Sequence, residues 1–163
     1  MRKTLLVLII VVNLILLYGC RSGDIKTAEI MPGIKIPLDQ MNVELQLTAP
    51  LEANTFKIGD IIGLVIVNLT NNPIWFPQNY GVKIFEQKSG QWNPIENNFG
   101  YPEGDTLLLP KKQELFGGKI IDALPSLSDD QPVVIRVFVI GKIQDKSSSG
   151  KEVGAYLDVS LNP

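Results

Sequence analysis

Pro132-Val133-Val134-Ile135-Arg136-Val137-Phe138-Val139-Ile140-Gly141-Lys142-Ile143, followed after a short gap by Lys151-Glu152-Val153-Gly154-Ala155-Tyr156-Leu157-Asp158-Val159-Ser160-Leu161, decides the fold. The first segment is a long apolar run rich in Val and Ile, whose branched side chains suit a pleated strand better than a helix. The second alternates, with Val153, Ala155, Leu157, Val159 and Leu161 on one face, the period of a strand laid against a core. Residues 144–150 between them are polar and carry three serines in a row, as the tip of a hairpin does.

Upstream, the same period recurs. Val43, Leu45 and Leu47 alternate with Asn42, Glu44, Gln46 and Thr48 until Ala49-Pro50 stops the strand. Lys57-Ile58-Gly59-Asp60 is a turn, and Ile61 to Leu69 follows as a strand apolar on both faces, expected at the centre of a sheet. Asn71-Asn72-Pro73 ends it. Ile74-Trp75-Phe76-Pro77 reads as a short strand cut by proline. Tyr80 to Lys88 resumes with Tyr80, Val82 and Ile84 on one face and Phe85 on the other, and Ser89-Gly90 turns it into Gln91 to Ile95. Residues 97–105 are a Gly-, Pro- and Asn-rich loop; Thr106 to Leu109 and Gln113 to Ile121 are further strands; Leu124 to Gln131 is a connection with room for one helical turn.

No amphipathic pattern of helical length follows residue 20, and no internal repeat is present. Seven or so short strands at this spacing predict an all-β fold: a single immunoglobulin-like antiparallel β-sandwich over residues 42–163. Phe56-Lys57-Ile58-Gly59-Asp60, the strand through Val67-Asn68-Leu69, and Asn72-Pro73-Ile74-Trp75-Phe76 also resemble a pattern of bacterial immunoglobulin-like domains. In those, a Gly-acidic turn precedes a strand ending in Asn, followed by a polar turn and a short apolar strand. The resemblance covers residues 56–76; one such family includes proteinase inhibitors, but no inhibitory motif maps onto a position here.

The amino terminus is of another kind. Arg2 and Lys3 precede an apolar run from Leu5 to Tyr18, interrupted once by Asn13 and short of the roughly 20 residues a spanning helix needs. A charged start, a short apolar core and a small residue before the cut make residues 1–19 a signal peptide. Leu17-Tyr18-Gly19-Cys20 resembles the lipobox of bacterial lipoproteins, with Tyr18 where that class usually has a small or aliphatic residue. The resemblance implies cleavage after Gly19, diacylglyceryl transfer to the Cys20 sulfur, and a further palmitate-type chain on the new amino group. Two alternatives stay open: a cut elsewhere that leaves Cys20 ordinary, or an uncleaved apolar anchor. Arg21 rather than Asp after the cysteine implies the outer membrane in a host with two membranes. Residues 20–41, with two prolines, two glycines and no steady periodicity, read as the lipidated end and a tether. Ile34, Ile36 and Leu38 alternate, so the second half either hangs free or lies along the domain as an edge strand.

Loss of the signal leaves 144 residues with 13 basic against 17 acidic side chains, a formal −4. No run of basic residues survives, which argues against nucleic acid and against a polybasic lipid-binding patch. The chain has one cysteine and no histidine, so Ser-His-Asp and Cys-His machinery and His-ligated zinc are absent. No cofactor is expected beyond the lipid on Cys20.

Trp75, Tyr80, Trp92 and Tyr101 are the candidate binding residues: exposed, they would stack on sugar rings or anchor a partner; otherwise Trp75 or Phe76 plugs the core. Glu103, Asp105, Asp122, Asp129 and Asp130 match no calcium-loop spacing and read as solvated carboxylates. Asn68-Leu69-Thr70 matches the glycosylation triplet, idle in a bacterial lipoprotein. These features predict a non-catalytic, membrane-anchored binding or scaffolding domain of the cell envelope, its partner another envelope protein or a polysaccharide. The alternatives are a carbohydrate-binding module and, from a different class, an enzyme working with carboxylates alone.

Overall fold

The computed structural model describes residues 31–49, 55–57, 60–96, 104–119, 131–144 and 150–163. The signal segment, Gly19, Cys20, residues 21–30, Tyr101, Glu103, Asp122, Asp129, Asp130 and the 124–130 connection lie outside these residues.

The hairpin of the last two strands is the spine. β9 (Val133–Ile143) and β10 (Glu152–Asn162) pair antiparallel from Val133 opposite Leu161 to Lys142 opposite Glu152. The other strands are β1 (Leu45–Thr48), β2 (Thr55–Lys57), β3 (Ile61–Asn68), β4 (Ile74–Phe76), β5 (Lys83–Lys88), β6 (Gln91–Ile95), β7 (Thr106–Leu108) and β8 (Gln113–Lys119). A smaller sheet has the order β1-β3-β8; the larger runs β2-β10-β9-β4-β7, with β5 also along β9 and β6 along β5. The protein is thus all-β, a two-sheet sandwich of immunoglobulin type. One pair departs from the antiparallel expectation: β2 runs parallel to β10, because the chain leaves the smaller sheet after β1 and returns along the larger one. Among the described residues, nine of the ten strands coincide with segments read from the sequence, and β2 is the addition.

Leu45, Leu47, Ile62, Leu64, Ile66 and Phe116 of the smaller sheet meet Ile74, Phe76, Ile84, Val137, Val139 and Val159 of the larger in one core. Tyr80, Val82 and Ile84 do share that face and Phe85 the other, as the alternation predicts, but the strand itself starts only at Lys83. Asn68, the residue that ends β3, is fully buried and holds one end of the sandwich together. Its Nδ2 donates to the carbonyls of Asn72, Leu108 and Leu109, and its Oδ1 accepts from the Thr70 amide and hydroxyl. Two amide hydrogens serve three acceptors, so one of these bonds is shared. The nitrogen of the glycosylation triplet is therefore a structural donor in the interior.

The larger sheet is apolar on its outer face too. Phe85 and Phe138 sit there edge to face, 5.5 Å apart, and each is 1 % exposed or less. Residues 31–41 cover them: Met31, Ile34 and Met41 share one buried cluster with the two rings, and Ile36 and Leu38 pack against it. This strap is pinned by the Asn42 amide donating to Gly154 O (3.1 Å) and by the Tyr156 amide donating to Asn42 Oδ1 (3.0 Å). The expected tether of residues 20–41 is thereby corrected over 31–41. That half is neither free nor an edge strand, but an irregular strap with a 3-10 turn at Leu38–Gln40. Its apolar side chains remove phenylalanine surface from water, a gain that a free tether would forgo.

Ile34→Ala should therefore lower the unfolding free energy by about 2–4 kcal/mol. Equilibrium urea denaturation measures it; a change within about 0.5 kcal/mol would mean the strap is not packed in solution.

Candidate functional site

Two local departures from regular sheet build a groove on the outer face of the larger sheet. One is the strap. The other is the break between β4 and β5. From Trp75 opposite Lys142 to Lys83 opposite Phe138, this side advances eight residues while β9 moves four, so four residues are looped out. The loop is a tight turn at Gln78–Gly81, with Asn79, Tyr80 and Gly81 at φ 59°, 49° and 58°. Three residues of positive φ in succession loop the chain out before it resumes along β9 in the same direction, and Tyr80 has no intrinsic tolerance for that region. Gly81 is required at its place: a Cβ there would come within 2.7 Å of the Ile140 carbonyl oxygen, which the loop lies against.

Between loop and strap lies a groove of about 370 Å3, within the usual range for small-ligand sites. Gly33, Lys35 and Ile36 of the strap form one wall, Trp75, Pro77 and Gly81 the other, and Ile140 with the Gly141 backbone lies between. Lys83, Lys142 and Glu152 complete the lining. Trp75 faces the groove because its neighbours Ile74 and Phe76 are committed to the core. Gly141 lets β9 pass close to them: a Cβ there would lie 2.6 Å from Ile74 and 2.8 Å from the Phe76 ring. Lys83 ties strap to sheet, its Nζ donating to Gly33 O at 2.6 Å.

With three lysines and one glutamate among its lining residues, this groove carries an excess of positive charge within a chain of net negative charge. The expectation that no basic patch exists is corrected here. Lys35, Lys83 and Lys142 are far apart in sequence and adjacent only once strap, β5 and β9 are assembled. Alternation alone puts Lys83 on the Phe85 side and Lys142 on the Ile140 side. It does not show that both sides are one face of one sheet, nor that the strap adds Lys35.

The four aromatic candidates are not brought together. Trp75 lines the groove. Trp92 lies on the outer face of the larger sheet with the Arg136 guanidinium over its ring at 4.2 Å. Tyr156 flanks the same guanidinium at 4.7 Å, and Asp158 takes it in a fork at 2.6 and 2.8 Å. Trp92 is thus half-buried in a cation–π stack. Tyr80 points inward, packs on Phe76 and Phe116, and donates from its hydroxyl to Glu114 Oε2 at 2.8 Å. It is 4 % exposed, which corrects its candidacy as a ligand-stacking residue. Phe76, not Trp75, plugs the core. Among the described residues, no group of three His, Cys, Asp or Glu side chains could hold a metal ion, and no helix is long and apolar enough to cross a membrane.

Burial pushes the Tyr80 hydroxyl up to about 12, the hydrogen bond to Glu114 and its negative charge add to this, and Thr106 opposes it. A folded value above the unfolded one means the neutral phenol is favoured by folding. That contribution, about 2 kcal/mol, is complete below pH 10 and lost as pH rises toward 12. Tyr80→Phe should destabilise the protein by about 1–2 kcal/mol at pH 8. The gap between wild type and variant should shrink between pH 10 and 12. Denaturation series at pH 8 and pH 11.5 measure both.

No protein-family model and no curated protein matches the chain. Distantly similar solved structures include the following two. One is Spo0M, the sporulation control protein of Bacillus subtilis, at 10 % identity and a TM-score of 0.39, covering 74 % of this chain. This chain spans about half of Spo0M's length (50 %). The other belongs to the archaellum periplasmic stator protein complex FlaF and FlaG from Sulfolobus acidocaldarius, at 18 % identity and a TM-score of 0.36, covering 78 % of this chain and 100 % of that one.

Proposed function

We propose that this chain is a lipoprotein of the bacterial cell envelope whose β-sandwich is a non-catalytic binding domain. Residues 1–19 are removed after Gly19, Cys20 carries the lipid, and the domain faces the extracytoplasmic side. In a host with two membranes that membrane is the outer one. The ligand or partner is held in the groove between the strap and the Gln78–Gly81 loop. The observation that carries this reading is the composition of the groove: Trp75 and Ile140 offer apolar area, and three lysines offer charge. Such a mixture of apolar area and charge is the kind that recognises a ligand.

The rival readings draw less support from the same geometry. A sugar platform needs several free ring faces, and here Tyr80 is interior and Trp92 carries Arg136 on its ring. A carboxylate-only hydrolase needs two facing carboxyl groups; Glu152 is the one carboxylate among the described residues that line the groove.

Cys20→Ser tests the anchor. The wild-type chain should fractionate with membranes and carry the mass of two or three acyl chains. The variant should lose that mass and either accumulate as precursor or leave the membrane fraction. Unchanged mass and unchanged fractionation would overturn the proposal.

A further inference from the structure

We propose that the groove holds the anionic phosphate headgroup of a membrane lipid next to the protein's own anchor. The inference rests on the lipoprotein reading and names the ligand class of the same groove. Three features point to it.

The first is charge. Lys35, Lys83 and Lys142 surround the groove against a single Glu152, in a mature chain with four more acidic than basic residues. The cluster therefore runs against the composition of the molecule and draws one kind of ligand, an anion. Lysine amines are compact charges with rotatable donors, suited to phosphate oxygens approached from several directions. Lys83 spends one of its three hydrogens on Gly33 O and keeps two.

The second is place. The strap that forms one wall begins eleven residues after Cys20, a span of at most about 40 Å even when fully extended. Because Met31 is already buried on the larger sheet and Gly33 already lines the groove, the anchor and the groove are joined by that short stretch alone. A domain held this close keeps the groove near the lipid surface, at a high local concentration of headgroups.

The third is shape. About 370 Å3 admits a glycerophosphate-sized group, and Trp75 and Ile140 give the apolar contact that the upper acyl or glycerol carbons require. A tryptophan beside lysines is the combination that settles at a membrane–water boundary.

The test uses the full lipoprotein in neutral-detergent micelles, read by tryptophan emission. Titration with short-chain phosphatidylglycerol should give a saturable change that disappears in Trp75→Phe. Short-chain phosphatidylcholine should give none. Lys35→Gln and Lys142→Gln should each weaken binding about fivefold. Lys88→Gln with Lys112→Gln, a loss of two charges away from the groove against one in each groove variant, should leave binding unchanged. The latter pair weakening binding as much as the groove variants, or phosphatidylcholine giving the same response, would overturn the proposal. Inorganic phosphate or glycerol phosphate alone saturating the signal at the same concentration would also overturn it, making the ligand a free anion. Melting curves of each variant confirm that a lost response is not lost folding. Since the detergent arm does not depend on acylation, its failure is separable from failure of the Cys20 reading.

Discussion

Strand β9 is apolar on both faces, and the rest of the molecule answers to that. Ile135, Val137 and Val139 point into the sandwich, where the smaller sheet covers them. Phe138 and Ile140 point outward, where the described residues form no second sheet. Exposed there, Phe138 and its edge-on neighbour Phe85 would cost several kcal/mol of unburied apolar surface. Chain from outside the two sheets must cover them, and residues 31–41 do so. The strand β3, also apolar in sequence, shows the contrast. Its inward residues are buried, while Ile61 on its other face is two-thirds exposed at 67 %. An apolar pattern on both faces thus has two outcomes, and which one follows depends on whether another segment reaches that face.

Covering β9 with a strap instead of a sheet leaves a gap beside it, and the break in the neighbouring strand widens that gap into a groove. The break is held from the inside. Tyr80, in a backbone region unfavourable to it, is kept there by Phe76, Phe116 and the bond to Glu114 on the opposite sheet. Tyr80, an aromatic candidate for ligand stacking in the sequence, is therefore the residue that positions the wall of the groove. Trp75, turned outward by the burial of Ile74 and Phe76 on either side, takes the place facing solvent.

Much of this was legible before folding is considered. The β9–β10 hairpin, the inward face of β10, and the opposition of Ile84 and Phe85 follow from apolar runs and period-two alternation, which are local properties of the chain. The end of β3 was legible to within one residue, Leu69 being expected where Asn68 is found, and only the structure reveals the five side-chain hydrogen bonds of Asn68. The split of one strand into β4 and β5 was half legible: Pro77 announces an interruption, but the alternation of Tyr80 with Val82 and Ile84 disguises where the strand resumes. The strap read as a tether or an edge strand because Pro32, Gly33 and Pro37 break its chain, so that only Ile34, Ile36 and Leu38 alternate. The lysine cluster was not legible at all, since charge adjacency across three segments exists only after assembly.

By itself, then, the sequence determined the all-β class, the alternation that assigns inner and outer faces, and the chemistry the chain lacks, with no histidine and a single thiol. These depend on residue type and short-range spacing. The tertiary structure alone decided that residues 31–41 belong to the folded body, that Tyr80 is buried, and that Trp75 shares a groove with Lys35, Lys83 and Lys142. The physical reason is that burial and charge proximity are sums over neighbours in space, and the neighbours concerned are contributed by segments far apart along the chain.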